Sequence, residues 1–397
     1  MGDSLIKECP LCLENKGFFE IFGVQNTFAS SDIFPLHIQK SIGDVGYGNG
    51  DCDIKVVQCQ NCGFAFNADF DMDKMIQAYS VPEYYAQKYF TTRLSKGIID
   101  LRDKFLGFLN KDSVVLEIAP GHCDLLLALA GEVKFIYSLD PSVNSQKTTA
   151  KNQKHIVGFF DKELLDKELE HKLDFIYFRH LLEHIEHPRK FLEDITSFLN
   201  EGAMIYIEVP NFLNNVQNGR FYEFYHDHVG YYQENVLINT LNELGFEFLD
   251  VLYPYDSQWM GLFFRKNTKL HKEKLPVKFF DLEDTNRFSK SVDLLNGYLS
   301  EADSVAVYGG GILANSMLPF ITQENKAKLR VCLDKNPEKL GRFLQSSQIQ
   351  IKEANPQNLE DIDCILMAMA LHENMVLESE ILNFSRNGLW RGGGGLS

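Results

Sequence analysis

Val114-Val-Leu-Glu-Ile-Ala-Pro-Gly-His-Cys-Asp-Leu-Leu-Leu127 is the stretch whose reading decides the fold. Its first five residues form a short, mostly apolar run, as expected of a strand buried on both faces of a parallel sheet. Ala119, Pro120 and Gly121 then break the run with a turn, and a helix follows. Small residues between a strand and a helix let the backbone approach a ligand at the helix N-terminus. Working outward, further strands are expected at Phe135–Leu139, Phe175–Phe178 and Met204–Val209. Helical patterns lie between them, for example Arg189–Leu199 and Gln233–Leu244. Phe246–Tyr253 and Met260–Arg265 read as two strands with a short connection. Strands alternating with helices indicate an α/β fold with a mostly parallel sheet.

The polar residues that follow these strands point to a cofactor. The strand after the loop ends in Asp140-Pro-Ser142, and an acid there accepts hydrogen bonds from both hydroxyls of a ribose. Phe159, Phe160 and Asp161 come one strand later, placed to cover and hydrogen-bond an adenine ring. The next strand ends in Arg179-His-Leu-Leu-Glu-His184, at the carboxyl edge where open α/β sheets bind ligands. The ordered set reads as a site for S-adenosylmethionine (SAM), whose carboxylate suits free N–H groups at a helix start. Glu117, Ala119, Gly121, Asp140, Phe160, Asp161 and Arg179 are the expected cofactor-binding residues.

Two Cys-x-x-Cys pairs precede this region, Cys9-Pro-Leu-Cys12 and Cys59-Gln-Asn-Cys62, around an aromatic and Gly-rich stretch that includes Gly43 to Gly50. Four thiolates in two such knuckles close a tetrahedral Zn²⁺ site with no open position, which is the form of a structural metal. Cys52, Cys123, Cys332 and Cys364 are scattered and read as small buried hydrophobes.

Composition narrows the partners. Fifty-five acidic residues against 39 basic ones leave a formal charge of −16, which repels a polyanion in the absence of a basic stripe. Nucleic acid is therefore not an expected partner. No apolar run approaches the ~20 residues of a membrane span, and the start of the chain lacks the apolar core of a signal peptide. The expected location is the cytoplasm, where close cysteine pairs hold metal rather than form disulfides. At 397 residues the chain exceeds one core. The expected division is a zinc-binding module (1–75), a SAM-binding core (76–267), a C-terminal Rossmann-like domain (268–390) and a patternless, disordered tail (391–397).

In its motifs the whole chain resembles the zinc-containing, SAM-dependent sugar C-methyltransferases. The likeness rests on the two Cys-x-x-Cys pairs, on Glu117-Ile118 with its loop, on Arg179-His-Leu-Leu-Glu-His184, on Ile207-Glu-Val-Pro-Asn211 and on Tyr225-His-Asp-His228. Tyr308-Gly-Gly-Gly311 and Leu333-Asp-Lys-Asn-Pro337 extend it toward the C-terminus. The resemblance implies a class I methyltransferase core and methyl transfer to a carbon beside the ketone of a nucleotide-linked deoxysugar, a step of carbohydrate biosynthesis. It also implies that His228 is the base, with Tyr225 and Asp227 completing the site. His180 and His184 are expected to reach the same pocket, and Tyr84-Tyr85 to cover the cofactor. The chain departs from the family where Ala119 and Cys123 replace loop glycines, where Asp227 replaces a glutamate, and where Gln258-Trp-Met-Gly261 replaces a Gly-Gly-Ser.

The chemistry asks for these residue types. Carbon methylation needs a base with a pKa near neutrality and donors aimed at an enolate oxygen. O- or N-methylation of another small acceptor is the alternative on the same scaffold. The C-terminal unit carries a different signal, because Gly309-Gly-Gly311-Ile-Leu-Ala314 follows a strand and Asp334 ends the next one. That is either a nicotinamide-dinucleotide fingerprint, hence an NAD-linked oxidoreductase, or a cradle for a nucleotide diphosphate.

Overall fold

The computed structural model describes residues 5–27, 33–34, 52–80, 92–141, 150–267, 273–344, 347 and 349–369. Gly43–Gly50, Tyr84, Tyr85, Ser142 and the 391–397 tail lie outside these residues.

Seven strands build the central sheet: β5 (Val114–Ile118), β6 (Phe135–Leu139), β7 (Gln153–Ile156), β8 (Leu173–Arg179), β9 (Leu199–Pro210), β11 (Phe246–Leu252) and β12 (Trp259–Lys266). Their order is β11-β12-β9-β8-β5-β6-β7. β5 pairs in parallel with β6 and β8, as do β6 with β7 and β8 with β9, whereas β12 runs antiparallel to both β9 and β11. Such a sheet, with one reversed strand next to its edge, is the class I methyltransferase arrangement. Chain order reverses between β5 and β8, so their carboxyl ends form the switch point where α/β sheets hold ligands.

Alternation along the strands explains why the sheet is covered on both faces. Val114, Leu116, Ile118, Ile176, Phe178, Ile205 and Ile207 pack into one cluster, and Val115, Phe175, Tyr177, Met204 and Tyr206 into another on the opposite face. The helix Thr92–Leu106 closes the second face through Phe105, whose ring lies 4.7–5.1 Å from those of Phe175, Tyr177 and Tyr206. Each such buried side chain contributes ~1.5–3 kcal/mol. Gly261 is required by the same packing, since a Cβ there would lie 2.0 Å from the Tyr206 hydroxyl.

The helix expected over Arg189–Leu199 is shorter, Pro188–Thr196, and Leu199 already opens β9. Thr196 and Ser197 turn their hydroxyls back onto the Glu193 and Asp194 carbonyls, a local bond that competes with helix continuation. The helix Leu282–Ser300 is capped by Asp281, whose carboxylate accepts from the Glu283 and Asp284 N–H groups.

A front sheet of order β1-β3-β4-β10 joins β1 (Phe18–Thr27), β3 (Cys52–Cys59) and β4 (Ala65–Asn67) to β10 (Gly230–Tyr231), which arrives from far along the chain. The helix Met72–Ser80 runs across residue 75, where a boundary was expected. A third sheet, order β16-β14-β13-β17, is wholly parallel: β13 (Val305–Tyr308), β14 (Leu329–Asp334), β16 (Ile351–Glu353) and β17 (Cys364–Met367). A two-stranded ladder pairs β2 (Ile33–Phe34) with β15 (Phe343–Leu344). No helix among the described residues is long and apolar enough to cross a membrane.

Candidate functional site

Because β5, β6, β8 and β9 are parallel, their carboxyl ends deliver the predicted residues to one edge. The loop after β5 turns on three left-handed residues, Ala119 (φ 56°), Gly121 (φ 55°) and Cys123 (φ 63°). Cys123 then caps the helix Asp124–Leu129 without a side-chain hydrogen bond. Ala119 and Cys123 are the two positions where the sugar methyltransferases carry glycine, and the backbone shows what that glycine would relieve. An L-residue in this region costs roughly 1–2 kcal/mol. Cys123 offsets part of the cost by burying its thiol completely, whereas Ala119 has only a methyl group to offer. Ala119→Gly is expected to raise stability by about 0.5–1 kcal/mol after the entropy of glycine is counted. A thermal melt of the variant that comes in below the parent would show that the methyl group packs more than the strain costs.

One face of the sheet gathers the polar groups. Glu117 is buried, accepts a hydrogen bond from the Tyr177 hydroxyl at 2.9 Å, and is pushed up to about 8 by burial, so it holds its proton at neutral pH. Asp140, at the end of β6, is 7% exposed. Arg179 donates to Glu208 at 2.7 Å, and Tyr206 donates to the other oxygen of that carboxylate at 2.6 Å. Burial alone would raise Glu208, but Arg179, His180 and Tyr206 hold it down to about 2. Arg179 thus stays charged at the carboxyl edge of the sheet despite its burial.

Phe160 and Asp161 are placed differently from one another. Phe160 packs edge-on to Phe191 at 4.7 Å, while its neighbour Phe159 is the exposed ring. Asp161 spends one carboxylate oxygen on the Leu164 N–H, capping the helix Lys162–Glu168.

The histidines converge from two directions. His180 follows β8 in a left-handed conformation (φ 50°), with Nε2 3.3 Å from Glu208 and its ring 4.2 Å from that of Trp259. Burial opposes its charge, but Glu183 and Glu208 prevail and raise its pKa. His184 closes a 3₁₀ turn, Leu182–His184, and its Nδ1 lies 2.8 Å from the Asp227 carbonyl. A carbonyl only accepts, so Nδ1 carries the proton and Nε2 the lone pair. His228 comes from the segment before β10, and its ring stands 4.7 Å from His184 and 4.9 Å from Tyr225. Burial, then the neighbouring His184 and His180, lowers His228 well below the usual histidine range, so the ring is neutral at pH 7. Tyr225 donates to Glu223 at 3.0 Å and is pushed well above its ordinary value by burial and that carboxylate. His226, by contrast, faces Phe70 and is 2% exposed, which makes it a core residue.

Sequence reasoning missed three acids that organise this site: Glu183, Glu208 and Glu223. Each is nine-tenths or more buried. The signal was a charged residue inside an apolar strand or turn, such as Ile205-Tyr-Ile-Glu-Val209, since charges are almost never fully buried unless paired. Gln258 donates to Glu223 at 3.0 Å and so touches the Tyr225 network.

The four knuckle cysteines also meet. The Sγ atoms of Cys9 and Cys62 are 3.7 Å apart, as are those of Cys12 and Cys59, and all four lie within 4.8 Å of one another. A tetrahedron with ~2.3 Å arms has edges of ~3.8 Å. Leu13 and Gly63, one residue after each second cysteine, take the left-handed turn that doubles each knuckle back. Hydrogen bonds from Cys62 and Cys9 pull the Cys59 thiol below the usual thiol range. In the C-terminal unit, Asp334 accepts from the Gly310 and Asn336 N–H groups at 2.8 Å each and from Lys339. Both carboxylate oxygens are taken by the chain itself, and so is a backbone donor of the Gly loop. This disfavours the dinucleotide reading.

Residues 89–251 match the family model for a methyltransferase domain. No curated protein matches the chain. Among solved structures, it is similar to an S-adenosylmethionine-dependent methyltransferase from Clostridium acetobutylicum (14% identity, 45% of this chain and 93% of that one, TM-score 0.34). It is also similar to candidate methyltransferases from Bacillus halodurans (14%, 44% and 99%, TM-score 0.33) and Listeria monocytogenes (14%, 44% and 99%, TM-score 0.35).

Proposed function

We propose that residues 89–251, which match the model of a methyltransferase domain, work as a SAM-dependent methyltransferase, and that the chain methylates a carbon beside the ketone of a nucleotide-linked deoxysugar. The observation that carries this reading is the convergence of His180, His184 and His228 beside Tyr225 at the cofactor edge of the sheet. The buried His228 imidazole is neutral and keeps the lone pair that abstracts a proton α to a carbonyl, although its lowered pKa makes it a weaker base than one tuned to neutrality.

SAM supplies the electrophilic methyl group, and the chain's residues do the rest. Ala119 and Gly121 bring backbone close to the amino-acid end, Asp140 accepts from the ribose hydroxyls, and Phe160 and Asp161 border the adenine. Arg179 supplies positive charge beneath the loop, and the protonated Glu117 a neutral hydrogen-bonding group. His228 takes the α-proton onto its lone pair, leaving the electron pair on the enolate. Tyr225 and Asp227 orient the acceptor, and His180 and the Nδ1-protonated His184 complete the polar wall. Four thiolates, Cys9, Cys12, Cys59 and Cys62, hold a structural Zn²⁺ in the first module (1–75). The C-terminal unit (268–390) closes on the nucleotide, with the acceptor between it and the core (76–267).

A panel of nucleotide-linked keto-deoxysugars, each incubated in deuterated water with and without SAM, tests the assignment. The expected result is exchange of one α-proton without SAM and a C-methyl product with it. Methylation of oxygen or nitrogen without any exchange would contradict it.

A further inference from the structure

From the geometry we infer that Glu183, His184 and His228 form a second metal site, one that captures a divalent cation of borderline softness such as Zn²⁺, Co²⁺ or Ni²⁺. One ligand atom from each residue lies within 4.8 Å of the other two. Glu183 is 1% exposed, and its Oε2 is buried with no hydrogen-bond partner. A carboxylate oxygen left so is costly unless something cationic meets it. His184 is already arranged as a ligand, because its Nδ1–H is held by the Asp227 carbonyl at 2.8 Å and Nε2 keeps the lone pair. Metal-bound histidines show this outer contact almost without exception.

The second oxygen of Glu183 has an outer partner as well, since Oε1 lies 3.7 Å from His180 Nδ1. Two imidazoles and one carboxylate with open positions select Zn²⁺, Co²⁺ or Ni²⁺ over Mg²⁺ or Ca²⁺, which prefer all-oxygen shells. The consequence rests on the function proposed above. A cation on His228 occupies the lone pair that takes the α-proton, so filling the trio switches methyl transfer off. Two bonds tie the Glu183–His184 turn to the segment that carries His228: the Val229 N–H donates to the Glu183 carbonyl at 2.7 Å, and His184 Nδ1 meets the Asp227 carbonyl. The trio is therefore held together by backbone as well as by side chains.

Full-length protein with its cysteine site already filled by zinc is titrated with Co²⁺, followed by absorbance and by metal analysis after gel filtration. The expected result is one added equivalent at micromolar Co²⁺, with weak ligand-field bands and no sulfur-to-metal charge transfer. Glu183→Gln and the double variant His184→Ala/His228→Asn should each lose that equivalent and keep the zinc. Absence of a second equivalent in the parent, or its persistence in the double variant, overturns the site. Binding of the second equivalent with methyl transfer undiminished would leave the site standing and overturn the base assignment instead.

Discussion

His228→Asn is expected to lower methyl transfer by ~10²–10⁴-fold, the usual worth of a positioned general base, while SAM affinity and melting temperature stay near those of the parent. Asparagine keeps a polar side chain in the space between His184 and Tyr225 but has no lone pair of comparable basicity. The same variant should stop exchange of the acceptor's α-proton with deuterated water. A merely packed histidine would give another pattern, in which activity falls only as far as stability does. The pH profile adds a sign. The base works when neutral, and His228 lies well below the usual histidine range because it is buried beside two other histidines. Activity limited by His228 should therefore hold steady as pH falls through 6.5, the ordinary histidine value, and decline only further into the acid range. Exchange that survives in His228→Asn would pass the role to His184 or His180.

Removing the metal from the cysteine cluster should have an effect of a different kind. Purified protein is expected to carry one zinc per chain, and Cys59→Ser or Cys12→Ser to lose it. Apparent binding energies of structural zinc reach about 10–16 kcal/mol in small zinc-finger peptides, so the front sheet should not survive the loss. The structure says where the damage spreads. β4 pairs with β10, the Asn67 N–H donates to the Val229 carbonyl at 2.9 Å, and Phe64 packs on Tyr232 at 5.0 Å. His228 sits immediately before this ladder. Chelation should thus lower the melting temperature and methyl transfer together, with no change in the pH dependence of the activity that remains. Metal analysis that finds no zinc, or Cys12→Ser with bound zinc unchanged, would contradict the assignment.

Much of the central sheet was legible because its strands are buried on both faces and bounded by turn residues. Val114–Ile118 and Phe135–Leu139 occupy the residues expected of them. Boundaries set by side-chain hydrogen bonds were less legible: Thr196 and Ser197 end a helix that hydrophobic periodicity alone would carry to Leu199. β10 was invisible, since a two-residue strand has no period and its partner lies more than 160 residues away, at Ala65–Asn67. In the site, residues at strand ends were readable from the parallel order. The buried acids Glu183, Glu208 and Glu223 were not, because their importance comes from partners that only the fold brings together. The departures at Ala119 and Cys123 were visible as residue types, but their meaning needed the left-handed backbone angles.

The central claim is that SAM binds at the edge formed by the β5 loop and Asp140. Calorimetric titration of SAM into the parent and into Asp140→Ala tests it most directly. The expected result is saturable binding of one SAM per chain to the parent. Loss of the charge-assisted ribose hydrogen bonds should weaken the variant by about 1.5–3 kcal/mol, roughly tenfold or more. A parent that binds no SAM, or an Asp140→Ala variant that binds it as tightly as the parent, would contradict the account.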